Sequence, residues 1–282
     1  MRTTGWGVTS LLIIITGALA LGLGAPPTEN EPALIIKWAT GSRSYTRTEL
    51  LKRPDVTRIH VAQDPAYDGK PRTYQAVPFH ALWKDIALPG DALLQFDCLD
   101  GFSAPIARDR VLNASRSAAI AYLAVEPADA PWPRNPKGIS PGPFYLVWMN
   151  PEKSGIQREE WPFQLASFEV KGSLSTSYPA ILPDAKAPAS VQRGLQVFVE
   201  NCFACHTMNR QGESELGPDL NVPMNVTQYW TPDAIAALVR DPQRVRYWPE
   251  GTMPSFPIEQ LSEEDLKLLL EYLTHMAGRK EK

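Results

Sequence analysis

The stretch ENCFACHTMN, Glu200–Asn209, decides how the chain is read. Cys202 and Cys205 are separated by two residues, and His206 follows directly. Three chemistries use such a spacing: zinc binding, a redox dithiol and covalent attachment of haem. A structural zinc needs four ligands, and the only other cysteine, Cys98, lies far upstream in sequence of a different texture. A thioredoxin-like dithiol wants a strand before it and a helix after it. Here Val191, Leu195, Phe198 and Val199 mark a helical face running into the motif, and a polar loop follows. Cys-x-x-Cys-His is the spacing at which two thiols add to the haem vinyl groups while the imidazole reaches iron. One covalent haem c is therefore expected on Cys202 and Cys205, with His206 as the proximal iron ligand.

The sixth iron ligand must come from farther along the chain. Met208 is too close to His206 to reach the opposite haem face, and His275 and Met276 lie within an apolar helical pattern. Met224, in NVPMNV, remains an alternative. Met253 sits in PEGTMPSFP, an extended Pro/Gly loop that can present a thioether, and it is the expected distal ligand. A thioether ligand favours ferrous iron and raises the reduction potential. Arg240, Arg244 and Arg246 precede this loop, either as solvated charge or as partners for haem propionates or an acidic protein.

Outward from the motif, the last third reads as helices. SVQRGLQVFVENC has Ser190 as its expected cap, TPDAIAALVRDP is capped by Thr231, and LSEEDLKLLLEYLTHMAG is capped by Ser262. Residues 172–187 are rich in Ser, Pro and Ala without periodicity and read as a linker. Residues 33–171 read as a mixed α+β domain. Five β-rich runs are bounded by Pro, Gly or Asp: Ala33–Trp38, Thr57–Gln63, Ala92–Asp100, Ala118–Glu126 and Gly142–Asn150. Two short helices are expected in YTRTELLKRP, capped by Thr46 or Thr48, and in VPFHALWKDI.

The whole chain has 282 residues, long enough for one large or two ordinary domains, and 27 prolines argue against an all-helical fold. With 28 basic and 31 acidic residues and no long basic run, nucleic acid is not an expected partner. Residues 1–25 carry an apolar core after Arg2, with small-residue cleavage sites at Ala20 and Ala25. They read as a signal peptide or a retained anchor, so the expected location is the bacterial periplasm, either soluble or tethered to the inner membrane.

In RGLQVFVENCFACH, GPDLN (Gly217–Asn221), LVRDP, GTMPSF and LLLEYL, the region 188–280 resembles the class I cytochrome c domain, an all-α fold. The resemblance implies that Gly194 and Phe198 pack against the final helix near Tyr272. It also implies that the Pro218 carbonyl accepts the second imidazole N–H of His206. The front domain, through YQAVPFHALW, LLQFDCLDGFSAPIARDRVL, GPFYLVWMNPEKSG and WPFQLASFEV, resembles the sulfite-oxidase-like molybdopterin-binding family. That family binds molybdenum through a cysteine placed before the helix that VPFHALW matches, and this chain has none there. Cys98 reads as a buried structural thiol. Arg108, Arg110, Arg116 and Arg134 are scattered, and His60 and His80 read as ordinary polar residues. A fold that has lost its molybdopterin is expected. The chain then reads as an electron carrier whose front domain docks a periplasmic redox protein or dehydrogenase, passing electrons to a downstream acceptor. The alternative is a molybdenum-dependent, sulfite-dehydrogenase-like oxidoreductase with a built-in haem.

Overall fold

Alternation of apolar residues builds the strands of the front region. In the computed structural model, which describes residues 31–281, β1 (Ala33–Trp38) turns Leu34 and Ile36 inward while Ile35 faces out. The leader expected over residues 1–25 lies outside the described residues. β1 pairs antiparallel with β2 (Gly41–Thr46), which leads into the short helix α1 (Arg47–Leu51). Thr46 caps α1 in a reciprocal box with Glu49. β3 (Thr57–Asp64) and β4 (Lys70–Pro78) follow, then a 3₁₀ turn at Phe79–Trp83 where a helix was expected. β5 (Leu93–Cys98), β6 (Ser103–Ala107), helix α2 (Arg108–Val111), β7 (Ile120–Val125), β8 (Phe144–Met149) and β9 (Leu165–Lys171) complete the region.

The strands form two sheets, ordered β2-β1-β9-β5-β6 and β3-β4-β7-β8. All neighbours are antiparallel except β1 and β9. Leu34, Ile59, Phe96, Leu123, Val147 and Phe168 contribute to one shared core. At its centre Phe79, Phe96 and Phe168 pack with ring centroids 5.0–5.5 Å apart. Buried Asp64 is fully satisfied there, accepting from the Ala66 N–H and the hydroxyls of Tyr74 and Tyr145.

Residues 172–187, expected as a linker, contain the helical turn α3 (Leu174–Ser177) and bury Tyr178 and Ile181 in the second core. The Tyr178 hydroxyl donates to Gln95 Oε1 of β5 at 2.8 Å.

The C-terminal region is helical: α4 (Ala189–Asn201), α5 (Pro232–Arg240), α6 (Pro242–Val245) and α7 (Glu263–Met276). Thr231 and Ser262 cap α5 and α7 as expected, but α4 begins two residues early, with Pro188 at its cap and Ser190 inside the helix. α4 crosses α7 at Gly194, where a Cβ would lie 2.2 Å from the Leu268 carbonyl oxygen and 2.7 Å from Tyr272 Cβ. The close approach brings the rings of Phe198 and Tyr272 to 5.3 Å. No helix among the described residues is long and apolar enough to cross a membrane.

Candidate functional site

α4 stops where its sequence turns into the Cys-rich motif. The Cys202 N–H still bonds to the Phe198 carbonyl, and a tight turn follows in which Cys205 and His206 N–H groups both return to the Cys202 carbonyl. Cys202, Cys205 and His206 thus come from one compact turn. Burial, reinforced by the negative charge of Glu159, pushes the Cys202 thiol well up and the Cys205 thiol to about 12. A reactive dithiol needs the opposite, a stabilised thiolate. Among the described residues no set of three or more His, Cys, Asp or Glu gathers as a metal cage, so a zinc site lacks donors.

His206 Nδ1 stands 2.8 Å from the Pro218 carbonyl. A carbonyl only accepts, so Nδ1 carries the hydrogen and the lone pair is on Nε2. Burial lowers the imidazole pKa, which keeps the ring neutral, as a metal ligand must be. Gly217 lies directly against the ring: a Cβ there would sit 2.5 Å from His206 Cε1 and 2.6 Å from Nδ1. The backbone of this loop is pinned by the Gly217 N–H on the Cys205 carbonyl, 2.7 Å. Asp219 gathers the N–H groups of Asn209, Arg210, Asn221 and Val222 together with the Thr207 hydroxyl. Burial pulls its pKa up, but these donors outweigh that and hold it below the ordinary value.

The methionine loop is held from α5. Arg240 Nη1 donates to the carbonyls of Phe256 (2.8 Å) and Leu261 (2.6 Å), and Nη2 pairs with Glu263 at 2.8 Å. The Phe256 N–H returns to the Val239 carbonyl. Met253 is half-buried and packs on the same apolar cluster as Cys202, Leu220 and Trp230. The other sulfur candidates sit elsewhere: Met208 and Met276 are fully buried in the core, and Met224 is 51% exposed. His275 Nε2 accepts the Asp184 N–H. Arg244 and Arg246 are exposed, and the Arg246 guanidinium lies over the Trp248 ring at 5.2 Å.

In the front region the expected scattering of basic residues holds. Arg110 forks onto Glu160, Arg108 pairs with Asp109, and Arg134 donates to the Gly138 carbonyl. His60 is exposed beside Thr73. Cys98 is buried, and desolvation together with Asp100 and Asp97 raises its pKa well above the ordinary value, so it is held as a thiol.

Two groups of residues around the site had no local mark in the sequence. Asn225 donates to the Asn221 side chain and the Leu273 carbonyl, Asn221 to Asn209 and the Met276 carbonyl, and Asn209 to the carbonyls of Ala180 and Arg279. This buried ladder satisfies the last turn of α7 and ties it to the loop after the motif. The second group is contributed by the front region. The Ser103 N–H at the β6 edge donates to the Ala204 carbonyl inside the motif, and Gly101 O accepts from Glu215 N–H and Ser214 Oγ. Glu159 is buried with both carboxylate oxygens 3.2 Å from Gln260 Nε2.

Residues 191–277 match the Cytochrome c family model. Over 92 residues the chain is 30% identical to the Cbb3-type cytochrome c oxidase subunit CcoP of Azospirillum brasilense, a match covering 33% of this chain. The chain spans 30% of that relative's length. The C-terminal region is a cytochrome c domain, which implies a covalently bound haem c and a haem-based role in electron transfer. The residues fit that group: two thiols and a neutral, oriented imidazole come from one turn, and Gly217 leaves room only for the ring.

Proposed function

We propose that the protein is an exported electron carrier holding one haem c through Cys202 and Cys205, with His206 and Met253 as iron ligands. The observation that carries this reading is the orientation of His206, whose Nδ1 is engaged by Pro218 so that Nε2 alone is free to meet iron. When bound, the haem supplies a one-electron ferric/ferrous couple. The chain's own contribution is to keep both donors in place: Gly217 and Pro218 fix the imidazole, and Arg240 fixes the return of the Met253 loop. Donors that do not move between oxidation states keep reorganisation small.

The front region, 33–171, acts as the docking module, joined through 172–187 to the haem domain at 188–280. We read it as a sulfite-oxidase-like fold without molybdopterin, because its one cysteine is a buried thiol flanked by acids, the reverse of a metal-binding thiolate. Exposed Arg244, Arg246, Tyr247 and Trp248 beside the methionine loop offer charge and aromatic surface to an acidic partner. The donor is a periplasmic redox protein or dehydrogenase. Its acceptor is an oxidase-type complex, in keeping with the likeness to an oxidase subunit. The segment 1–25 delivers the chain to the periplasm and is either removed or kept as a tether.

The test is metal and haem content after expression with cytochrome c maturation. One covalently held iron, no molybdenum and a reversible one-electron couple are expected. Stoichiometric molybdenum with a pterin would replace this reading by a sulfite-dehydrogenase-like oxidoreductase.

A further inference from the structure

Glu159 is a buried carboxyl that the fold has no structural need to ionise. It sits in the 3₁₀ turn Arg158–Glu160 of the front region, 8% exposed, where it faces the haem-bearing turn. Among the described residues, its only hydrogen-bond partner beyond its own turn is the neutral amide of Gln260, from the stretch between the methionine loop and α7. Among the described residues it forms no ion pair, while its neighbour Glu160 takes the available guanidinium of Arg110. The carboxyl acts electrostatically on both Cys202 and Cys205. Burial pushes its pKa up to about 7, so the proton is exchangeable near neutrality.

We propose that Glu159 is the proton acceptor through which the front region couples electron uptake at the haem to proton uptake. The proposal rests on the reading that Cys202 and Cys205 carry haem. One electron from the donor reduces ferric iron to ferrous, and one solvent proton binds a Glu159 carboxylate oxygen; oxidation releases both. The cause is Coulombic: a negative charge added beside a buried carboxyl, where water screens little, raises that carboxyl's proton affinity. The docking region would then set the pH dependence of the haem domain, a role distinct from holding a partner.

The surrounding charges identify the competitors. From its own turn Arg158 favours the ionised form and Glu160 opposes it. Glu200 on α4 is also raised, by burial and by Glu160 and Asp265, with Arg110 acting against them. Glu200 is nevertheless exposed and lies in the field of the Arg110 guanidinium, whereas Glu159 is buried against the Gln260 amide.

The experiment is a redox titration of the full haem-loaded protein from pH 5.5 to 8.5, for the wild type, Glu159→Gln and Glu200→Gln. Proton release and uptake are followed with a pH indicator at each oxidation-state change. The amide of Glu159→Gln keeps hydrogen-bonding capacity toward Gln260, so the fold is retained; its Soret band and melting curve verify this. The wild type and Glu200→Gln should lose midpoint potential as pH rises through neutrality and take up protons on reduction. Glu159→Gln should show a flat potential and little uptake. A pH-independent wild type, or a slope that survives in Glu159→Gln, overturns the coupling alone. Failure to attach haem covalently overturns the reading beneath it, and the two failures are separated by the thioether-shifted haem spectrum.

Discussion

Gly194→Ala is the sharpest test of how the haem domain is assembled. The new Cβ would lie 2.2 Å from the Leu268 carbonyl oxygen, short of the 3.4 Å where ordinary contact begins by about 1.2 Å. The obstruction is the backbone of α7, with Tyr272 Cβ also at 2.7 Å, so no flexible side chain can swing aside. The helices must separate, loosening the Phe198–Tyr272 contact and the core beneath the Cys-rich turn. Overpacking against backbone belongs at the upper end of the usual range, about 3 kcal/mol. Alanine in place of glycine within a helix returns about 1 kcal/mol. The net loss of about 2 kcal/mol corresponds to a fall of roughly 8–16 °C in Tm for a domain of about 90 residues. Thermal unfolding of the haem-loaded protein, followed by far-ultraviolet circular dichroism and by the Soret band, measures it. Gly278→Ala is the matched control, because a Cβ there meets only the His275 carbonyl oxygen at 3.7 Å. An unchanged or raised Tm for Gly194→Ala, with Gly278→Ala behaving alike, would refute the close crossing.

Gly217→Ala should tilt the His206 ring and break its bond to Pro218, a loss of about 1 kcal/mol, and show as altered axial ligation in the ferric spectrum. Arg240→Ala removes two donor contacts to the carbonyls of Phe256 and Leu261, after the methionine, and the ion pair to Glu263 at the start of α7. Discounted for partial exposure, this loosens the loop by about 2 kcal/mol, and carbon monoxide should then bind ferrous protein that resists it in the wild type. Met253→Ala should abolish the sulfur-to-iron absorption band at the red edge and lower the potential, whereas Met224→Ala should leave both unchanged. For Glu159, burial raises the carboxyl from 4.5 to about 7 in the folded protein, so the folded state holds its proton more tightly than the unfolded state. Stability from this group is therefore greatest below pH 4.5 and falls as pH rises through about 7, by about 3 kcal/mol in all. Denaturant titrations of Glu159→Gln should lack that component; parallel pH curves would contradict it.

Much of the front region was legible from residue alternation, since a strand with one buried face writes a period of two into the chain. β1 is found at its expected bounds, and β3, β5, β7 and β8 lie within a few residues of theirs. β2, β4, β6 and β9 were not singled out. β2 is a polar edge strand, and β6 carries Pro105, which marks it as a non-strand until its place at the sheet edge is known. β4 was partly absorbed into the expected helix at VPFHALW. Ser190 looked like a cap because Ser usually is one, yet the helix begins earlier, at Ala189, with Pro188 at its cap.

The spacing of Cys202, Cys205 and His206 was readable by itself because it is a short-range stereochemical requirement: one turn must offer two sulfurs and an imidazole to one macrocycle. The caps at Thr231 and Ser262 were readable for the same reason, being satisfied within three residues. The tertiary structure alone decided which methionine is packed inward and which is exposed, and which arginine is tied to backbone carbonyls. It also decided that Ser103 meets Ala204 and that Glu159 meets Gln260, 101 residues away. Burial and electrostatics sum over every element that surrounds a group, so no local stretch can contain them. The ten residues from Glu200 to Asn209 specify two thiols and an imidazole in one turn; the packing of the front region against them places Ser103 and the buried Glu159 carboxyl beside that turn.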